Sequence, residues 1–200
     1  MTAPLLLATN NSGKLDEMRA LLADLDFELL SPADLGIDLK VEESGESYAQ
    51  NACLKAKAFA QAANLPSLAD DSGLEVEALD GAPGLYSARF APKPGATDTD
   101  HRAHLLKALA GKPRPWKAGF RSAVCLALPS GKTFEAEGEC AGEIIPDERG
   151  SKGFGYDPVF LIEGQGRTMA ELSMDEKNRL SHRARAISRI GLILKLNNLD

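Results

Sequence analysis

The sequence predicts an α/β fold built on a mixed β-sheet, and three observations predict it. An apolar run from Pro4 to Ala8 leads through the polar cluster Thr9-Asn10-Asn11-Ser12-Gly13 into residues at helical spacing, the opening of a strand–loop–helix unit. An alternating stretch from Ala118 to Leu128 and a returning strand from Thr133 flank the tight turn Pro129-Ser130-Gly131-Lys132, the pattern of a β-hairpin. Hairpins and strand–helix units therefore share one chain, which argues for a mixed sheet over a purely parallel one.

Each element has a local cause. Leu15, Met18, Leu21 and Leu22 fall on one face of the first helix. Residues 31–46 are loop-like and acidic, with Glu42, Glu43 and Glu46 close together. Tyr48 to Ala63 is alanine-rich and reads as a helix with Ser47 as its N-cap. Ser67 to Ala69 reads as a strand running into the polar Asp70-Asp71-Ser72-Gly73. Leu74, Val76 and Ala78 then alternate with Glu75 and Glu77 as a half-exposed strand. Asp80 to Gly84 is a turn. Thr97 with Asp100 starts a helix carrying Leu105, Leu106 and Leu109, on which His101 and His104 read as exposed. Ala118 to Leu128 and Thr133 to Ile145 are the hairpin strands, and Val159 to Ile162 is a short strand. Ser173 and Glu176 have capping-box spacing before a helix, and Ile187, Ile190 and Leu194 give a last helical stripe to about Leu196.

Composition bounds the function. With 200 residues, 44% of them hydrophobic, the chain suits one domain over 1–200, or at most two small lobes, around a sizeable core. That apolar fraction excludes general disorder. No apolar run approaches the ~20 residues of a membrane span, and Leu5 to Leu7 has no basic region before it, against a secretory signal. Cys53, Cys125 and Cys140 are odd in number and far apart, which reads against a disulfide framework or zinc site and fits a reducing cytoplasm. The net charge of −6 makes a poor general binder of nucleic acid. Residues 1–80 hold 5 basic and 15 acidic side chains, so the charge is uneven. The acidic part could supply metal ligands and the remainder phosphate contacts; two solvated faces would look the same.

Four constellations carry candidate chemistry. Thr9, Asn10, Asn11, Ser12, Gly13 and Lys14 lie where a helix begins, and first-turn N–H groups with the helix dipole favour an anion. Lys14 there is unfavourable for the dipole unless a phosphate neutralises it. The P-loop spacing is absent, and an Asn/Ser helix cap explains the residues as well. Asp70 and Asp71 are adjacent carboxylates that Mg²⁺ or a basic partner would relieve, with Glu42 or Glu43 as a second oxygen ligand. Strand alternation sends only one of the two aspartates into a given site, and the bland reading is a polar turn. Gly153-Phe154-Gly155-Tyr156-Asp157-Pro158 allows close approach to a flat ligand with an aromatic to stack, or is simply a bulged turn. Lys177 and Ser181 share a helical face ahead of His182 and Arg183, donors suited to carbonyl and phosphate oxygens or to solvent.

Together these segments resemble the inosine triphosphate pyrophosphatase family of bacterial type. The motif pieces are Thr9-x-Asn11-x-x-Lys14, Asn51-Ala52 with Lys55-Ala56, Ala69 to Gly73, Gly81-Ala82-Pro83-Gly84 with Tyr86 to Arg89, Gly153 to Pro158, and Glu176-Lys177 with Ser181-His182-Arg183. Each piece is weak alone; their order and spacing from Leu6 to about Arg189 are specific. The resemblance implies an elongated mixed sheet flanked by helices, two lobes around a central substrate cleft, and a homodimer. It also implies Mg²⁺-dependent hydrolysis of ITP, dITP and XTP to the monophosphate and pyrophosphate. Carried over by residue, Thr9 to Lys14 bind triphosphate, Asp71 is general base and metal ligand, Glu42 is the second metal contact, and Ser72 touches substrate. Phe154, Gly155, Tyr156, Asp157, Lys177, His182 and Arg183 form the nucleobase and phosphate pocket. Two other classes compete: a Maf-like pyrophosphatase acting on other nucleoside triphosphates, and a nucleotide-binding module without turnover. The Lys177 to Arg183 block argues against the first, and the set Asp71, Glu42 and Lys14 against the second.

Overall fold

The computed structural model describes residues 2–196. It contains six strands and five α-helices: β1 (Ala3–Leu7), α1 (Ser12–Leu22), β2 (Phe27–Leu30), α2 (Tyr48–Ala63), β3 (Ser67–Val76), α3 (Asp98–Leu109), β4 (Trp116–Ala127), β5 (Thr133–Ile144), β6 (Phe160–Ile162), α4 (Met174–Leu180) and α5 (His182–Leu196). The strands form one mixed sheet in the order β2-β1-β3-β4-β5-β6. β1 pairs in parallel with β2 and β3, and β5 pairs antiparallel with β6, as the mixture of local units predicts.

Two compact units partition the chain, neither of them continuous. Unit 1 comprises residues 1–71, 122–138 and 182–200, and unit 2 comprises 72–121 and 139–181. In unit 1, strand alternation sorts the core onto two faces. Leu5 and Leu7 pack with Met18 and Leu22 of α1 and with Ile187, Ile190 and Leu194 of α5. Leu6 and Ala8 pack with Ala52, Ala56, Phe59 and Ala60 of α2. Small residues on α2 let that helix lie close to the sheet. The core of unit 2 gathers Leu74 and Val76 of β3, Leu105 and Leu109 of α3, Trp116 and Phe120 of β4, and Phe160 of β6.

Several expectations need correction. β2 has no sequence signature, being four residues long with no fully buried side chain. β3 does not end at its aspartates; it runs unbroken from Ser67 to Val76, with Asp70 and Asp71 inside it and Leu74 and Val76 fully buried. His101 is buried, and its Nδ1 accepts a hydrogen bond from the Ala91 N–H at 3.0 Å, so it is a loop anchor inside the fold. Cys53 of α2 and Cys125 of β4 are joined as a disulfide, with Cα atoms 5.1 Å apart, against the expectation of free thiols in a reducing cytoplasm; they stand 72 positions apart, so sequence spacing gave no hint. Cys140 is a buried thiol. Among the described residues, no helix is long and apolar enough to cross a membrane.

Candidate functional site

In unit 1, α1 begins directly after β1. Asn11 caps it: the Asn11 side chain accepts from the Lys14 N–H at 3.0 Å, and the Asn11 N–H donates to Thr9 Oγ1 at 3.2 Å. Asn10, Asn11 and Ser12 are exposed, Thr9 and Gly13 half-buried, and no acidic residue occupies the first turn. The positive end of this helix is thus open to an anion. Lys14 turns inward and places its Nζ 2.8 Å from Asp70 Oδ2. A protein carboxylate therefore already balances the lysine that the sequence left for a phosphate.

Asp70 is the centre of a buried charged group. Its Oδ1 accepts from Ser122 Oγ at 2.5 Å, and its Oδ2 meets Arg183 Nη2 at 3.2 Å as well as Lys14. Arg183 also pairs with Glu17 of α1, and both are almost fully buried. Burial alone would raise the Asp70 carboxyl; the Arg183 guanidinium and the Lys14 ammonium outweigh it and hold the group well below the carboxylate range. Burial is also the main reason that Lys14 is lowered.

Asp71 points into a different group, as alternation predicts. Its Oδ1 lies 3.0 Å from Lys55 Nζ, and its Oδ2 accepts from Asn51 Nδ2 at 3.3 Å. Lys55 also meets Glu43 Oε1 at 3.0 Å and donates to the Asp70 carbonyl at 2.9 Å. Asn51 and Lys55 are four apart on α2 and so share a face. Asn51 additionally accepts the Gly45 N–H at 2.8 Å, tying the acidic segment to Asp71. Burial raises Asp71 above its ordinary value despite Lys55 and Lys14, while Asp71 and Glu43 raise Lys55 against its own burial. A carboxylate with a raised pKa beside a second carboxylate suits hard-cation binding and proton transfer.

The expected residues divide as follows. Thr9 to Lys14, Asp71, His182 and Arg183 belong to unit 1, whereas Ser72, Phe154, Gly155, Tyr156, Asp157 and Lys177 belong to unit 2. Glu42 is exposed and makes no ion pair among the described residues; its neighbour Glu43 is the carboxylate that Lys55 holds beside Asp71. Arg183, expected as a substrate contact, is instead packed against Glu17 and Asp70 with almost no exposed surface. His182 is buried at the start of α5, where Gly138 permits close approach: a Cβ there would lie 2.2 Å from the His182 carbonyl. Sequence reasoning gave no role to Asn51, Lys55, Glu17 or Ser122. For Asn51 and Lys55 a signal existed, in polar residues one turn apart on an otherwise alanine-rich helix.

In unit 2, the loop 153–157 is built around Asp157. Its Oδ2 accepts from Lys177 Nζ at 2.6 Å and from the Phe154 N–H at 3.0 Å. The Lys177 ammonium lies 5.0 Å from the Phe154 ring centroid, a cation–π contact. Gly153 has φ +73°, and a Cβ would sit 2.0 Å from Asp157 Oδ2, so only glycine fits. Lys177 and Asp157 are thus buried supports beneath a half-buried Phe154. Tyr156 is buried and donates its hydroxyl to the Ser87 carbonyl at 2.8 Å, an anchor for the loop.

These features define an α/β protein with an anion-ready helix start, a lysine-bridged carboxylate group and a supported aromatic loop. The Ham1 family profile matches residues 5–191. A dITP/XTP pyrophosphatase of Desulforamulus reducens is 45% identical over 95% of this chain and 94% of its own. A dITP/XTP pyrophosphatase of Mannheimia succiniciproducens is 47% identical over 94% of this chain and 96% of its own. A solved HAM1 protein structure from Coxiella burnetii superposes with a TM-score of 0.87 at 37% identity, covering 98% of this chain and all of that one. The chain belongs to the Ham1 family.

Proposed function

We propose that the protein hydrolyses dITP, ITP and XTP to the nucleoside monophosphate and pyrophosphate. The observation that carries this reading is the pair of charged groups on consecutive residues of β3. Asp70 fixes Lys14 at an anion-ready helix start, and Asp71 stands beside Lys55 with a raised pKa. Cleaving a phosphoanhydride needs charge neutralisation and an aligned water more than covalent chemistry. In this reading the first turn of α1 and Lys14 bind the triphosphate, and Asp71 orients the water and takes its proton. Lys55 keeps Asp71 oriented and lends positive charge.

The donor set fits a hard divalent cation, since it offers carboxylate oxygens and no sulfur. In this reading Asp71 and Glu42 hold Mg²⁺, Lys55 retaining Glu43 as its own partner. Bound Mg²⁺ supplies charge neutralisation and polarises phosphate oxygens. By the resemblance, the Phe154 loop offers a face for a purine, and Ser72 touches substrate. Discrimination rests on donors aimed at the purine 6-oxygen: adenine carries an amino group there and would leave a donor unpaired, which can reject a base by about 10⁴-fold. Arg183 acts in this scheme through Asp70, and His182 keeps the place in the nucleobase pocket that the resemblance implies. A homodimer belongs to the reading on the strength of the resemblance; a cytoplasmic location rests on the nucleotide substrate alone, since the Cys53–Cys125 disulfide removes the cysteine argument for it.

The test is Asp71→Asn, followed by calorimetric binding of ITP and by product analysis. Loss of turnover by at least about a hundredfold with retained binding is expected. Normal turnover by the variant would remove Asp71 as the base.

A further inference from the structure

The loop that carries Phe154 is gripped from outside by two residues of α3 that the proposed activity does not use. The Gly155 N–H donates to Asp98 Oδ2 at 2.7 Å, and the Gly155 carbonyl accepts from Arg102 Nη1 at 2.9 Å. Asp98 and Arg102 are four apart and therefore on one face of α3. We propose that Asp98 and Arg102 are positioning residues for Phe154, a two-point clamp that sets the orientation of the ring offered to the purine.

The Gly155 N–H belongs to the peptide plane joining Phe154 to Gly155, and its carbonyl to the plane joining Gly155 to Tyr156. Holding both planes fixes the two backbone torsions of Gly155, a residue whose φ of +61° glycine reaches without strain and can equally leave. The plane before Phe154 is already held, because the Phe154 N–H donates to Asp157. With Asp98 holding the plane after it, both planes flanking Phe154 are set, and so is the direction of its Cα–Cβ bond, from which the ring projects. Arg102 is itself held: its Nε and Nη2 bind the two Glu148 oxygens at 2.8 and 3.1 Å, and Nη2 also donates to Thr99 Oγ1 at 3.1 Å. A guanidinium so fixed presents Nη1 to Gly155 in one direction. The clamp thus removes loop freedom that base binding would otherwise have to freeze, the physical content of preorganisation.

This inference rests on the reading in which Phe154 stacks the base, and the experiment separates the two. Steady-state kinetics on ITP are measured for Asp98→Ala, Asp98→Asn, Arg102→Ala, Phe154→Ala and the Asp98→Ala/Phe154→Ala double variant. Asp98 is exposed on the first turn of α3, so its replacement leaves the core intact. Asp98→Ala and Arg102→Ala are each expected to raise KM about three- to tenfold, the scale of one hydrogen bond, with kcat within about twofold. Asp98→Asn keeps an acceptor oxygen and should restore KM to near the parent value. Asp98→Ala should add nothing once Phe154 is gone, because its effect passes through the ring. An unchanged KM in Asp98→Ala and Arg102→Ala overturns the clamp. So does an equal penalty for Asp98→Ala with or without Phe154, or an Asp98→Asn as poor as Asp98→Ala. A Phe154→Ala variant with unaltered KM would overturn the stacking reading, and the clamp with it.

Discussion

Asp70 and Asp71 are neighbours that solve opposite electrostatic problems. Against its burial, Arg183, Lys14 and Ser122 hold the Asp70 carboxyl well below the usual carboxylate range, whereas burial raises Asp71 above its ordinary value. In the proposed function Asp70 is the structural carboxylate and Asp71 the reactive one. The acidic segment poses the same question for Glu42 and Glu43. If Glu43 is the partner of Lys55 and Glu42 a metal ligand, Glu42→Gln should raise the Mg²⁺ concentration for half-maximal rate about tenfold or more, with little change for Glu43→Gln. Titrating Mg²⁺ against both variants checks this, and the reverse pattern would make Glu43 the ligand. At this scale the sequence showed which residues were chemically able but not what they face. Arg183 looked like a surface donor because its partners, Glu17 and Asp70, lie 166 and 113 residues away.

Elements with local causes were the legible ones. Tyr48–Ala63 forms a helix with Ser47 Oγ accepting from the Gln50 N–H, as its cap and alanine content predict. Thr97 with Asp100 and Ser173 with Glu176 both close reciprocal capping boxes. β3 was not legible as one strand, because Asp70-Asp71-Ser72-Gly73 has turn composition. What keeps it extended is its place in the sheet between β1 and β4, while distant Lys14, Arg183 and Ser122 balance the Asp70 charge inside it. β2 was missed for want of a buried, alternating pattern, since its place depends on pairing with β1. The capping boxes lead to a pH prediction. Glu176 accepts from the Ser173 N–H and pairs with Arg167, which lowers its pKa from 4.5 to about 2. A carboxylate lowered on folding stabilises the native state above its unfolded pKa, and that contribution fades as pH falls from about 4.5 toward 2. Denaturant unfolding of the parent and Glu176→Gln should therefore differ near neutrality and converge in that acid window. A difference that stays constant with pH would contradict the assignment.

Across the whole molecule the chemistry is divided by unit. Unit 1 carries the open start of α1, the Asp70 group and the Asp71–Lys55–Glu43 group, and unit 2 carries the Phe154 loop on its Asp157–Lys177 support. The Cys53–Cys125 bond belongs to unit 1 and joins α2, the helix bearing Asn51 and Lys55, to β4. After denaturation without reductant, one thiol per chain, Cys140, should react with a thiol reagent. After reduction all 3 cysteines of the chain should. Three reactive thiols before reduction would contradict the pairing.

The central claim is phosphoanhydride cleavage selective for purines with an oxo group at position 6 and no 2-amino group. The most direct measurement is pyrophosphate release from ITP, XTP, GTP and ATP, each with and without Mg²⁺. The account predicts rapid, Mg²⁺-dependent release from ITP and XTP and little from GTP or ATP. Equal release from all four would contradict the account of base selection, and release from none would contradict the proposed hydrolysis itself.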